Sequence, residues 1–226
     1  MEKSKKRRLN FGMAGVILAL AWPTMLEQLM QTAVQYIDTA MVGSLGTQAT
    51  AAVGAATTVN WLVGSTISAV GVGFLAFIAK ALGAGDKSAA KKAASQALLS
   101  VLVVGVAVTV ITVALSGQIP KWMQVDEDIR DLAGQYFLIL YLPMLFRTAS
   151  TIFGTVLRAA GDTKSPMKIG VVVNLVNVIL NFLLIYPTRQ IKIFSLEFTM
   201  WGADLGVIGA AVASAIAFTV GGVCIT

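Results

Sequence analysis

Six long apolar stretches dominate the chain and set what it can fold into. They run roughly over residues 11–42, 49–82, 90–115, 129–157, 166–186 and 203–226. A hydrocarbon core of about 30 Å needs about 20 helical residues to cross it. Inside that core each segment has to satisfy its own backbone N–H and C=O groups. The expected fold is therefore all-α: a polytopic membrane protein with a six-helix bundle over 11–226, preceded by a basic arm over 1–10. Composition agrees, with 57% hydrophobic and 12% charged residues and a mean hydropathy of +0.80. A soluble domain carries roughly 25% charge. The first stretch is not a cleavable signal, because it is too long, carries Glu27 and Asp38, and runs directly into more membrane. The second is too long to stand upright in a bilayer, so it has to tilt or protrude.

The connections carry their own logic. Gly43-Ser44-Leu45-Gly46 separates the first two spans, and Gly83-Ala84-Gly85-Asp86 ends the second, with Asp86 or Ser88 placed to cap the third. Ser165-Pro166 reads as an N-cap followed by a first-turn proline. The 84–88 turn is echoed at 160–165, either as two similar helix-breaking turns or as a repeat of helical hairpins. The connection between Pro187 and Asp204 reads as a short interfacial segment.

Basic residues are distributed unevenly. Lys3, Lys5, Lys6, Arg7, Arg8, Lys80, Lys87, Lys91, Lys92, Arg158, Lys164 and Lys168 fall at one end of the expected bundle, against Lys121, Arg130, Arg189 and Lys192 at the other. The positive-inside rule then places both termini in the cytoplasm. No aromatic or motif context marks the basic arm for nucleic acid, so none is expected as a partner.

Function is sought where polar groups fall in lipid, because an ionisable group there is costly. Thr24, Glu27, Gln31, Gln35 and Asp38 occupy an arc of about 80° on the first span. Such a stripe faces other helices or water. Asp38 points to function more than the glutamines do, since an amide would tie helices together without the charge penalty. Asn174, Asn177 and Asn181 share an arc of about 60° on the fifth span. Amides offer a carbonyl oxygen to a cation and an NH2 to a carboxylate. If the two stripes meet, Asp38, Asn177 and Asn181 form a site for sodium or, at the carboxylate, for a proton, and Glu27, Gln31, Gln35 and Asn174 line a polar chamber. Arg147, within the fourth span, needs an acidic or carbonyl partner, and Glu27 is one candidate; alternatively, a kink at Pro143 takes it to water. Pro23 either kinks the first span or is a tolerated bend. Gly64, Ser68 and Gly71 share a face suited to close packing.

The chain has no histidine and a single cysteine, Cys224. There is also no phosphate-binding G-x-x-x-x-G-K-[ST] loop and no hydrolase motif. An enzyme is not expected, and neither is a cofactor.

Several segments together resemble the multidrug and toxic compound extrusion family. They are the early Pro23, Leu29-Met30-Gln31-Thr32, the segment from Ile37 to Gly46, Ala79 to Asp86, Leu157 to Met167, Asn174 to Tyr186, and Leu205 to Ala211. The resemblance covers nearly the whole chain and corresponds to the amino-terminal six-helix lobe of a twelve-helix transporter. It implies export of organic, mainly cationic, small molecules across the plasma (inner) membrane in exchange for sodium ions or protons, with a second six-helix lobe or chain as partner. It also implies that Asp38 takes part in cation coupling and that Asn177 and Asn181 lie in the same cavity; the second is Asp in some branches of the family. Two other readings are a lipid-linked sugar flippase of a related family and a non-transporting membrane fragment or interaction module.

Overall fold

A computed structural model describes the backbone of residues 2–193 and 196–226, and the side chains of 12, 14–190 and 199–226. The elements are α1 (Glu2–Gly43), α2 (Thr47–Gly83), α3 (Lys87–Leu115), α4 (Ile119–Trp122), α5 (Glu127–Tyr141), α6 (Met144–Ala159), α7 (Lys164–Leu184), β1 (Pro187–Ile193), β2 (Leu196–Ala203) and α8 (Gly206–Ile225). Among the described residues, α2, α3, α7 and α8 are each long and apolar enough to cross a bilayer. Helices α5 and α6 together make a fifth span, bent by 48°. The bend falls where Pro143, which cannot continue the hydrogen-bond ladder of α5, becomes the N-cap of α6. Helix α1 is the longest of all; its polar stripe dilutes its apolar character, and its helical backbone continues through residues 2–10 without a break. Pro23 lies fully buried within it.

The bundle packs through small residues. Gly71 lies against Thr155 of α6, where an added Cβ would sit 2.9 Å from the threonine hydroxyl. Gly64 lies against Arg147, whereas Ser68 of the same sequence pattern is exposed. One buried cluster, at the end away from the lysine-rich turns, joins Met41 and Val42 of α1 to Phe137 and Tyr141 of α5 and Ala211 of α8. Another joins Ile67, Ala97 and Ile152 of α2, α3 and α6.

The two echoed turns have the same construction. Gly85 (φ 79°) and Gly161 (φ 92°) take the left-handed conformation, and the following Asp N–H reaches back to Ala81 O (2.9 Å) and Leu157 O (3.0 Å). This is the Schellman arrangement, which satisfies carbonyls at a helix end. Asp86 then caps α3 by accepting from Ala89 N at 2.9 Å. The cap of α7 differs from the expected Ser165. Thr163 is the N-cap, and the Asp162 carboxylate accepts from the N–H groups of Lys164 (3.1 Å) and Ser165 (3.0 Å). These bonds, those from Ser165 foremost, hold the Asp162 carboxyl below the ordinary carboxylate value.

The 187–204 connection is not merely an interfacial segment. It forms an antiparallel two-stranded hairpin, with Arg189 opposite Met200 and Gln190 opposite Thr199. Its alternation of polar and apolar residues carries the strand period, which a search tuned to long apolar runs passes over.

Candidate functional site

The face of α1 that packs on α7 carries Pro23, Glu27, Met30, Val34, Asp38 and Met41, at the i, i+4, i+7 spacing of a helix stripe. Both carboxylates of the span are thus turned into the protein, and they meet different surroundings.

Near the non-basic end, Asp38 meets the asparagine stripe of α7. Asn181 Nδ2 donates to Asp38 Oδ1 at 2.5 Å. Asn177 lies one turn away, and its amide satisfies its neighbours best with nitrogen toward Asp38, donating to Oδ1 and Oδ2 at 3.0 and 3.2 Å. Its carbonyl then accepts from the Ser214 hydroxyl of α8 at 3.1 Å. In this orientation both asparagines of the stripe donate to the Asp38 carboxylate. Both asparagines are buried, and the Asn181 carbonyl oxygen is enclosed without a donor among the described residues. Tyr186 closes the same end by hydrogen bonding to Ser44 Oγ at 2.9 Å.

Near the basic end, Glu27 forms a two-oxygen pair with Arg158 Nη2, at 2.8 and 2.9 Å. This corrects the expectation that Glu27 serves Arg147. Arg147 instead donates through Nη1 to the Asn60 amide oxygen of α2, and its guanidinium stacks 4.7 Å from the centre of the Phe218 ring of α8. The fourth span is kinked at Pro143, but Arg147 still turns into these helices.

The other polar residues do not join the Asp38 cluster. Gln31 and Gln35 lie on the exposed flank of α1, and Asn174 is half-buried. Among the described residues none of the three makes a side-chain hydrogen bond. No described group of His, Cys, Asp and Glu is dense enough for a multivalent metal centre. Beside the Asp38 carboxylate, the Asn181 carbonyl is the amide oxygen left without a donor among the described residues, while the Asn177 carbonyl is taken by Ser214. Sequence reasoning missed Ser214, whose setting in a run of alanines gives no sign of its partner. It also missed Asn60, a single amide in an apolar span, which could have been noticed.

A family model described as MatE matches residues 23–183, the stretch from the buried proline of α1 through the asparagine stripe of α7. The chain belongs to the MatE family. A curated relative, the probable multidrug resistance protein NorM of Thermotoga maritima, is 28% identical over 205 residues. That alignment takes in 91% of this chain and 42% of the relative. Among solved structures, a multidrug resistance MATE family transporter of the MOP superfamily in its outward-facing conformation superposes with a TM-score of 0.83 at 26% identity, over 93% of this chain and 43% of that one. The inward-facing conformation of such a transporter gives 0.71 at 25% identity, over 93% and 44%. The chain spans less than half the length of the MatE relatives it matches, and it corresponds to an amino-terminal lobe. It is an integral membrane protein of all-α type, with the β hairpin as an appendage.

Proposed function

We propose that this chain supplies the amino-terminal lobe of a secondary transporter that exports organic, mainly cationic, small molecules in exchange for sodium ions or protons. The Asp38 cluster is its coupling site. The observation that carries the reading is a half-buried carboxylate held by neutral amides, with no fixed cation paired to it among the described residues. Such a group is stable in a bilayer only when a mobile cation or a proton neutralises it. Neutralisation weakens the hydrogen bonds that Asn177 and Asn181 donate to the carboxylate. The two cation states then differ in bonds between α1 and α7, and that differential free energy is what a conformational shift requires. Glu27, Gln31, Gln35 and Asn174 are assigned to the walls of the transport path. The charge asymmetry supports cytoplasmic termini in the plasma membrane, and movement of one bundle against another supports a second six-helix partner.

The test is dye efflux from proteoliposomes holding the chain with its second lobe, driven by an imposed sodium or pH gradient. Native protein should export a cationic dye only with the gradient. Gradient-independent leakage, or unchanged export by Asp38→Asn, would overturn the assignment.

A further inference from the structure

The transport reading uses Asp38 and leaves Arg147 unexplained. A guanidinium carries five N–H donors. Asn60 takes one, through Nη1, and the ring of Phe218 takes a face rather than an edge. Among the described residues nothing accepts from Nε or Nη2, and no carboxylate pairs with the charge. Arg158, on the same helix, has Glu27 for that purpose. Arg147 is half-buried. Gly64 makes room for Nη2 against α2, because a Cβ there would lie 3.2 Å from it.

The position matters as much as the bonding. Glu27 and Arg158 touch, and Asp38 and Arg147 each lie eleven residues along from that contact, about 16 Å on α1 and on α6. They therefore sit at similar depth, and one face of α8 reaches both. Ser214 touches Asn177 beside Asp38, and Phe218, one turn on, touches Arg147. An uncompensated guanidinium at bilayer depth is costly, and its planar Nε–Nη2 edge matches a carboxylate or phosphate in a two-point grip.

We propose that Arg147, framed by Asn60, Gly64 and Phe218, is a subsite for the anionic group of a small ligand, either carboxylate or phosphate. Calling that ligand a transported substrate rests on the transport reading; its binding does not. A molecule bearing both charges would find a cation site and an anion site at the same level of this lobe.

The experiment is equilibrium calorimetry on the purified chain in phosphatidylcholine nanodiscs. Benzoate is compared with benzamide, its neutral isostere, and with phenyl phosphate. The native chain should bind both anions at least about tenfold more tightly than benzamide. Gly64→Ala should weaken benzoate several-fold, Arg147→Lys should do so as well, and Arg147→Gln should abolish the preference. Asp38→Asn should leave it intact, which separates this subsite from the coupling site. Equal affinity of native chain for benzoate and benzamide overturns the proposal even if every Arg147 variant misfolds. So does retained preference in a folded Arg147→Gln. Displacement of benzoate when phosphatidylglycerol replaces phosphatidylcholine would overturn it in favour of a lipid headgroup; unchanged binding supports a soluble ligand.

Discussion

Glu27 and Asp38 are two carboxylates on one face of one helix, and their neighbours give them opposite characters. Glu27 meets a guanidinium that takes both of its oxygens, so its charge is balanced by a group fixed to α6. Asp38 meets two neutral amides that donate to it and carry no compensating charge. A fixed charged partner makes a carboxylate a fastening, whereas neutral partners leave it to exchange its compensating cation. The position of an acid in a membrane span is thus a weaker guide to its role than the charge of the residue facing it.

The largest expected consequence of this contrast concerns Asp38. Asp38→Asn should reduce gradient-driven efflux by about 100-fold or more while leaving insertion and helix content unchanged, since removing an essential proton or ion carrier disables the coupled step. Glu27→Asn is too short to test the pair cleanly, so the matched change is Glu27→Gln. It should destabilise the lobe by about 1–3 kcal/mol in thermal or denaturant unfolding, because it strands a half-buried guanidinium. The double variant Glu27→Gln with Arg158→Met should recover part of that loss. A Glu27→Gln protein that is fully stable but uncoupled would reverse the two roles.

A smaller effect is expected at the turn that seats α7. Gly161→Ala should cost about 1–2 kcal/mol, because φ of 92° burdens any side chain. The same change at Gly85 should cost a similar amount if the two turns are equivalent. The smallest effect belongs to Asp162, which is half-buried at the turn. Its carboxyl titrates below the ordinary value, so the cap stabilises the fold above that ordinary value and is lost as pH falls through the depressed one. Asp162→Ala should therefore lower thermal stability slightly at neutral pH and have no effect in strong acid.

Much of this was legible from residue order alone. Apolar runs located the spans, because hydropathy over about 20 residues leaves few alternatives. Asp38, Asn177 and Asn181 could be named because each helix stripe is set by 3.6 residues per turn. Which stripe faces which helix depends on packing between distant segments, and periodicity does not encode it. Glu27 could therefore be offered to Arg147 only as one candidate: Arg147 and Arg158 both stand on the fourth span, and only the fold places Arg158 beside α1. Pro143 marked a kink without telling where Arg147 would turn. The β hairpin was missed because its 2-residue period lies in a stretch too polar to count as a span and too short to dominate a window. Ser214 was missed because a small hydroxyl among alanines looks the same whether it bonds its own helix or a neighbour.

The contrast between the two carboxylates is tested most directly by infrared difference spectroscopy of the purified chain in lipid, titrated with sodium and with acid. Asp38 should give a carboxyl signal that responds to added sodium or protons; it should vanish in Asp38→Asn and persist in Glu27→Gln. A signal that survives Asp38→Asn, or that disappears only in Glu27→Gln, would contradict the account.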